Sequence, residues 1–292
     1  NFNTYGDQQY TLFNNYYDDY CYMPFFIFES ISGKLISPLL RPGRRSKNLN
    51  IFGVLRRVIE ILRKYWKRTI IVIRGDSHFC CTELMSYCER NKGLYYITGL
   101  IGLNPLKKSV SLWVKEAESR YRKYKEPIRM YRSLCYGAVA WKKKRRVIVS
   151  INVNEEGTHA RFIITNFSPE TSPRHLYERV YTQRGTIELY IKEIKSHLKG
   201  HKMSCSGFCA NPFRLFLHGA AYLLMHAFKT NALAHTSFDN ASMITLREKF
   251  LLVAVHIKVC KTKVKVELPH NYPHKEEFSR AMLIFGHLRL TG

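Results

Sequence analysis

Y-T-Q-R-G-T-I-E-L-Y-I-K-E-I-K, from Tyr181 to Lys195, decides how the rest of the chain is read. A helix turns about 100° per residue. With Tyr181 at zero, Arg184 falls near about 300°, Glu188 near about 340° and Lys195 near about 320°. One carboxylate, two cations and a phenol therefore share a stripe roughly 60° wide. Ile187, Ile191, Ile194 and Leu198 fall at about 220–280°, an adjacent but separate apolar stripe. Such a helix can bury its isoleucines and hold the polar stripe along the rim of a cleft. There the glutamate suits a metal ion, and the cations and phenol suit phosphate oxygens. The same pattern also fits a solvated amphipathic helix with charge pairs one turn apart.

The composition points to the same partner. Among 292 residues, Lys and Arg number 47 against 22 Asp and Glu, a net charge of +25. A folded chain this basic calls for a polyanion, and nucleic acid comes first. Hydrophobic residues at 46% and aromatics at 13% are those of a globular protein. No apolar run reaches the roughly 18 residues of a membrane span, and no membrane partner is expected. The segment Pro212 to Phe228 comes nearest, but Arg214, His218 and His226 interrupt it. The eight cysteines show no C-x-x-C pair and no zinc-finger spacing, so they read as reduced thiols of a cytosolic protein.

Taken in order, Tyr20 to Glu29 reads as a strand with an edge or bulge at Pro24, and Leu35 to Leu40 as its hairpin partner. A basic loop, Arg41 to Lys47, follows. Asn50 can cap a helix running to about Trp66. The β-branched run Thr69 to Arg74 reads as a strand buried on both faces, ending at Gly75-Asp76-Ser77. A short helix over Glu83–Arg90, capped by Thr82, and a strand over Leu94–Gly99 come next. This α/β order places Asp76 at a strand's C-terminal end, where open α/β sheets hold ligands. Asp76 could equally cap the turn after it. A basic helix, Leu112 to Lys125, leads to three strands, over Ile128–Trp141, Val147–Val153 and Ala160–Phe167. The run Lys142 to Arg146 in a turn between them is either a DNA contact or a solvated charge cluster. Ser172-Pro173 starts the helix that carries the opening stretch. Asn211-Pro212 starts another, to about His226, apolar nearly all round and therefore expected to be buried, with both histidines hydrogen-bonded in the core. A helix near Met243 to Ala254, a basic strand pair at His256–Leu268 and a helix at Lys275–Leu288 complete the order.

Tyr, two residues, Arg, three residues, Glu, six residues, Lys is a Y-R-E-K pattern, and chance should supply it in well under about one chain in a hundred of this length. It resembles the catalytic-helix motif of bacterial insertion-sequence DDE transposases. With R-G-D-S-H-F at Arg74–Phe79, T-Y-G-D-Q-Q at Thr4–Gln9 and the Cys205–Leu217 block, nearly the whole chain looks most like the insertion-sequence family numbered thirteen-eighty. The resemblance implies an α/β, ribonuclease H-like mixed sheet with a β-rich insertion and a C-terminal helical region. The expected divisions are residues 1–111 for the first part of the catalytic domain, 112–171 for the insertion, 172–236 for the catalytic and packing helices, and 237–292 for a basic C-terminal region.

The resemblance also implies the chemistry. Asp76 and Glu188 would be catalytic metal ligands for Mg²⁺, with Mn²⁺ as a substitute. Two such ions can activate an attacking oxygen and stabilise the leaving one in phosphoryl transfer. Tyr181, Arg184 and Lys195, with Lys192 and Lys199 beside them, would grip DNA at the inverted-repeat ends, and target DNA would be the acceptor. A dimer on DNA is implied as well. Relatives carry a D-x-T strand just before a T-Y-G-D-Q-Q-like block. The chain as given begins at Asn1, so the first carboxylate is expected to be missing and the fragment to be truncated and inactive. Two other functions remain open: a non-catalytic DNA-binding relic of a transposase, and a ribonuclease H-like nuclease without strand transfer.

Overall fold

The computed structural model describes residues 1–4, 6–43, 51–262 and 264–286. Tyr5, Asn50, the end of the basic loop from Arg44 to Lys47, and the last helical residues expected up to Leu288 lie outside them. The chain divides into two compact units, one formed by Asn1–Ser46 with Thr186–Gly292, the other by Lys47–Gly185.

The first unit opens with three short strands, β1 (Phe2–Asn3), β2 (Leu12–Asn14) and β3 (Asp19–Tyr22), antiparallel in the order β1-β3-β2. The single strand expected over Tyr20–Glu29 is two. Pro24 has no N–H to give a ladder. The chain breaks there and restarts as β4 (Phe25–Phe28) in a different sheet. β4 pairs antiparallel with β5 (Leu35–Leu39), the expected hairpin, with an irregularity between Ile27 and Phe28.

The second unit holds α1 (Ile51–Tyr65), β6 (Ile71–Gly75), α2 (Thr82–Arg90), β7 (Leu94–Leu100), α3 (Asn104–Ser109), α4 (Ser111–Tyr124), β8 (Ile128–Tyr136), β9 (Arg145–Asn154), β10 (Gly157–Thr165) and α5 (Pro173–His175). Its five strands form one mixed sheet, β6-β7-β10-β9-β8. β6 and β7 are parallel, and every other pair is antiparallel. The β-rich stretch is thus hydrogen-bonded into the sheet that carries Asp76. β9 is buried along most of its length, with Val147, Ile148, Val149 and Ile151 at zero exposure. β6 is not buried on both faces as its β-branched run suggested. Among the described residues it pairs with β7 alone, and Val72 keeps 39% of its surface exposed.

The turn run Lys142–Arg146 is also corrected in part. Arg145 is buried in an ion pair with Glu89, at 2.7 Å, under the ring of Trp141. Arg146 donates to Ser133 Oγ at 2.9 Å and to the carbonyls of Ser168 and Thr171. These two guanidinium groups hold the fold.

The opening stretch is helical but not uniformly α. After α5 come a π-helical turn (Leu176–Tyr181), a 3₁₀ turn (Thr182–Arg184), α6 (Gly185–Lys192) and a second π-helical turn (Glu193–His197). A π turn takes up an additional residue, so 100° per residue does not hold throughout. The apolar stripe nevertheless packs as its spacing predicts. Ile194 is fully buried in the core of the first unit, and Ile187, Ile191 and Leu198 pack against it.

That core is completed by α7 (Ala210–Ala227), α8 (Met243–Leu246), a π turn (Arg247–Leu251), and α9 (Lys275–Gly286), beside the exposed hairpin of β11 (His256–Val259) and β12 (Val264–Glu267). α7 is not buried all round. Its inward face runs Asn211, Leu215, Gly219, Tyr222 and Met225, at helical spacing. Phe213, Phe216 and Leu224 on other faces are more than half exposed. His226 is buried and bonds the Ser32 carbonyl at 2.7 Å, as expected of a core histidine.

Candidate functional site

Asp76 follows directly on β6. Its Oδ1 accepts from the His78 amide at 2.8 Å and lies 3.2 Å from the His78 ring Nδ1. It therefore caps the short turn Ser77–Phe79. Among the described residues Oδ2 accepts no hydrogen bond, so the capping and ligand roles weighed for Asp76 use different oxygens.

Two features bring helical residues to this turn. Arg74, one turn of strand before Asp76, donates through Nη1 to the Val180 carbonyl at 2.7 Å and to Gln183 Oε1 at 3.1 Å. It ties the π-helical turn to the strand end. Gly99 on β7 does the rest. A Cβ there would lie 2.9 Å from the Ser77 amide nitrogen and 3.0 Å from the Tyr181 hydroxyl. Only a residue without a side chain lets the phenol and the Asp76–Ser77 backbone approach one point. Tyr181 is half-buried against Tyr177, ring centroids 5.5 Å apart, and Arg184 sits over its ring at 5.7 Å. Burial raises the Tyr181 pKa, with Arg184 opposing and Asp76 adding to the rise. The phenol therefore stays protonated, a hydrogen-bond donor, at neutral pH. Within the second unit the structure thus brings together Asp76, Tyr181 and Arg184.

Glu188, Lys192, Lys195 and Lys199 belong to the first unit. The helix that carries them is anchored by Tyr190, whose ring packs at a tilt against Phe28, centroids 5.4 Å apart, and covers Gly33 at the hairpin tip. Gly33 has φ +74°, and a Cβ there would meet the Tyr190 ring at 2.8 Å. Two glutamates lie on this helix, and their surroundings separate them. Glu193 accepts from the Met243 amide at 3.0 Å and meets His197 Nδ1 at 2.6 Å, a structural role. Glu188 is exposed, as are Lys192 and Lys199, and Lys195 is half-buried. Lys199 adopts a left-handed φ of 58° where the helix ends, and the Gly200 amide closes onto the Ile194 carbonyl at 2.8 Å.

Arg74 and Gly99 are site residues that the motif reading did not single out. An isolated glycine inside a strand is a signal of close backbone approach, and Thr98-Gly99-Leu100 carries it. Arg74 has no comparable mark, because its partners lie more than a hundred positions away.

Of the two carboxylates expected to bind a hard divalent ion, Asp76 lies in the second unit and Glu188 in the first. Among the described residues no group of three or more His, Cys, Asp or Glu is placed to hold a metal. Magnesium needs no more than one or two carboxylates when water and phosphate oxygens complete its shell. Among the described residues no helix is long and apolar enough to cross a membrane.

A family model described as "Transposase DDE domain group 1" matches residues 1–290. Among solved structures, the chain is similar to the piggyBac transposase in its synaptic complex with hairpin DNA, at 13% identity and a TM-score of 0.45. The match covers 74% of this chain and 42% of that one, so the chain spans less than half the length of that transposase. No curated protein matches.

Proposed function

The chain belongs to the transposase DDE domain group 1 family, and from that premise we propose that it catalyses metal-dependent DNA strand cleavage and transfer at the ends of an insertion sequence. Within that proposal the sheet is ribonuclease H-like, the opening stretch is a Y-R-E-K catalytic helix, and the chain is of the thirteen-eighty type. The observation that carries it is the grouping of Asp76, Tyr181 and Arg184 around Gly99 at the C-terminal end of β6. A carboxylate whose Oδ2 accepts no hydrogen bond among the described residues, a protonated phenol and a guanidinium suit phosphoryl transfer on DNA.

In this proposal Asp76 of the second unit and Glu188 of the first would each serve as a ligand to Mg²⁺ or Mn²⁺. The ion, when bound, neutralises charge on the reacting phosphate and makes the attacking hydroxyl more acidic. Asp76 keeps Oδ2 for that purpose while Oδ1 fixes the carboxylate's direction through the His78 amide. Tyr181 donates its proton in a hydrogen bond to a phosphate oxygen, and Arg184, steered by the Tyr181 ring, adds charge beside it. Lys192, Lys195 and Lys199 bind the flanking backbone phosphates. The partners are the inverted-repeat ends and target DNA, engaged by a dimer.

The test is nicking of a duplex carrying the element's own ends, with Mg²⁺ or EDTA, by the native chain and by Asp76→Ala and Glu188→Ala. Cleavage that needs the metal and both carboxylates, with duplex binding kept in the variants, supports the assignment. Cleavage surviving either substitution would remove that residue from the site. Binding without cleavage in the native chain would leave a DNA-binding protein and no enzyme.

A further inference from the structure

We propose that a second phosphate-binding site for DNA lies at the opposite edge of the same sheet, in an arginine-lined groove along β8. The inference rests on the reading of the chain as a DNA-acting protein. β8 is the end strand of the five-stranded sheet. With α4 and Ser172–Arg174 it borders a groove of about 310 Å³. The charged residues lining it are Arg120, Arg129, Arg132 and Arg174, and no Asp or Glu is among them.

The carboxylates stand behind the arginines. Glu116 accepts from Arg120 at 2.6 Å and lies 3.7 Å from Arg132. Glu178 accepts from Arg174 at 2.9 Å and from the Tyr131 hydroxyl at 3.0 Å. Arg129 donates to the side-chain carbonyl of Asn152 at 3.2 Å. Four guanidinium groups thus meet two carboxylates, which leaves a net positive charge at the groove. Each guanidinium has five N–H donors. These contacts engage one nitrogen each of Arg120, Arg129 and Arg174, and two of Arg132, whose Nη1 also donates to the Tyr131 carbonyl at 3.4 Å. That aims the side chains and leaves donors for a ligand.

Arginines built only to hold the fold would resemble Arg145, which is 2% exposed and bonded to its own carboxylate. Those of the groove are open, with 54%, 42% and 74% of the Arg120, Arg132 and Arg174 side chains exposed. Planar, open, under-neutralised guanidinium groups are suited to bidentate contacts with phosphate. An open trough on a chain of net charge +25 fits a continuous phosphodiester backbone better than a small anion, which an enclosed pocket would hold.

The experiment measures duplex DNA affinity of the full chain against salt concentration, for the native protein and for the triple variant Arg120→Gln, Arg132→Gln, Arg174→Gln. The salt slope should fall by about two to three, because each phosphate contact adds roughly 0.9. Because Arg174 and Tyr131 share Glu178, the triple variant could unfold. Arg129→Gln, whose arginine donates to the Asn152 amide and to no carboxylate among the described residues, should then lower the slope by about one. Unchanged slopes in folded variants, with native binding intact, overturn the groove and spare the proposed function. Failure of the native chain to bind duplex overturns both. Saturable binding of pyrophosphate that the variants abolish while their DNA slope is unchanged would reassign the groove to a small phosphate and also overturn the proposal.

Discussion

The hydroxyl of Tyr181 stands 3.0 Å from the point where a Cβ on Gly99 would lie, and the Ser77 amide nitrogen stands 2.9 Å from it. Gly99→Ala therefore forces the Asp76–Ser77 backbone or the phenol to move. The backbone cannot move cheaply, since Asp76 caps its own turn. Overpacking of this kind costs about 1–3 kcal/mol. We expect Gly99→Ala to fold with a urea midpoint lowered by that amount and to lose DNA cleavage more than tenfold. A variant with native cleavage would show that the contact does not position Asp76.

Arg184 should be read through its salt dependence. Its guanidinium lies over the Tyr181 ring, a contact that directs it without neutralising it. Arg184→Ala should weaken duplex binding and lower the salt slope by about one. Tyr181→Phe keeps the ring beneath Arg184 and removes only a neutral donor, so its slope should match that of the native chain. Fluorescence anisotropy over a salt series separates the two. Equal slopes in Arg184→Ala and native protein would count against a phosphate contact.

The Glu89–Arg145 pair supports the sheet from below. Glu89 accepts from Arg145 at 2.7 Å and from the Tyr96 hydroxyl at 3.0 Å, and pairs with Lys143 at 3.1 Å. Burial would raise the Glu89 pKa, but the hydrogen bonds from Arg145, Lys143 and Tyr96 together hold it below the ordinary carboxylate value. A carboxyl depressed in the fold adds stability above its unfolded pKa and loses it as pH falls through the folded one. Arg145→Met should cost about 3 kcal/mol at pH 7, because it strips a buried carboxylate of its main partner. The penalty should shrink at an acid pH below the depressed folded pKa of Glu89, where the carboxyl is protonated. Chemical denaturation at both pH values checks the sign.

What the sequence reveals here depends on how local the cause is. The isoleucine stripe of the Tyr181–Lys195 stretch, the β4–β5 hairpin and the position of Asp76 after β6 follow from spacing within a few residues. The failures have distant causes. β6 looks like a strand covered on both faces because β-branched residues record strand preference, not the number of neighbours. α7 looks wholly buried because its outward Phe213, Phe216 and Leu224 are as apolar as its inward residues. Arg145 reads as a solvated turn charge until Glu89, 56 positions away, closes on it. Asp76, Tyr181 and Arg184 at the candidate site, and Glu188 in the other unit, stand out through a motif. Arg74 and the arginines beside β8 gain their meaning only from partners that the fold supplies.

The same logic predicts a pH dependence from the first unit. His226 bonds the Ser32 carbonyl at 2.7 Å from within the core, and its neighbour Tyr222 donates to the Gly33 carbonyl at 2.8 Å. Burial lowers the His226 pKa, opposed by the Ser32 carbonyl and assisted by Lys229 and Lys34. His218, lowered first by burial and then by Arg214, behaves alike. Both rings are neutral in the fold at pH 7. The unfolded chain binds these protons near pH 6.5 and the folded chain only below that. Stability is therefore full above about pH 6.5 and declines as pH falls towards the folded values. His226→Gln keeps a donor for Ser32 without a titrating ring. Its unfolding free energy should fall less than that of the native chain between pH 7.5 and 5.5, and His218→Gln should add to the effect. A native chain equally stable at both pH values would mean that neither histidine titrates across folding.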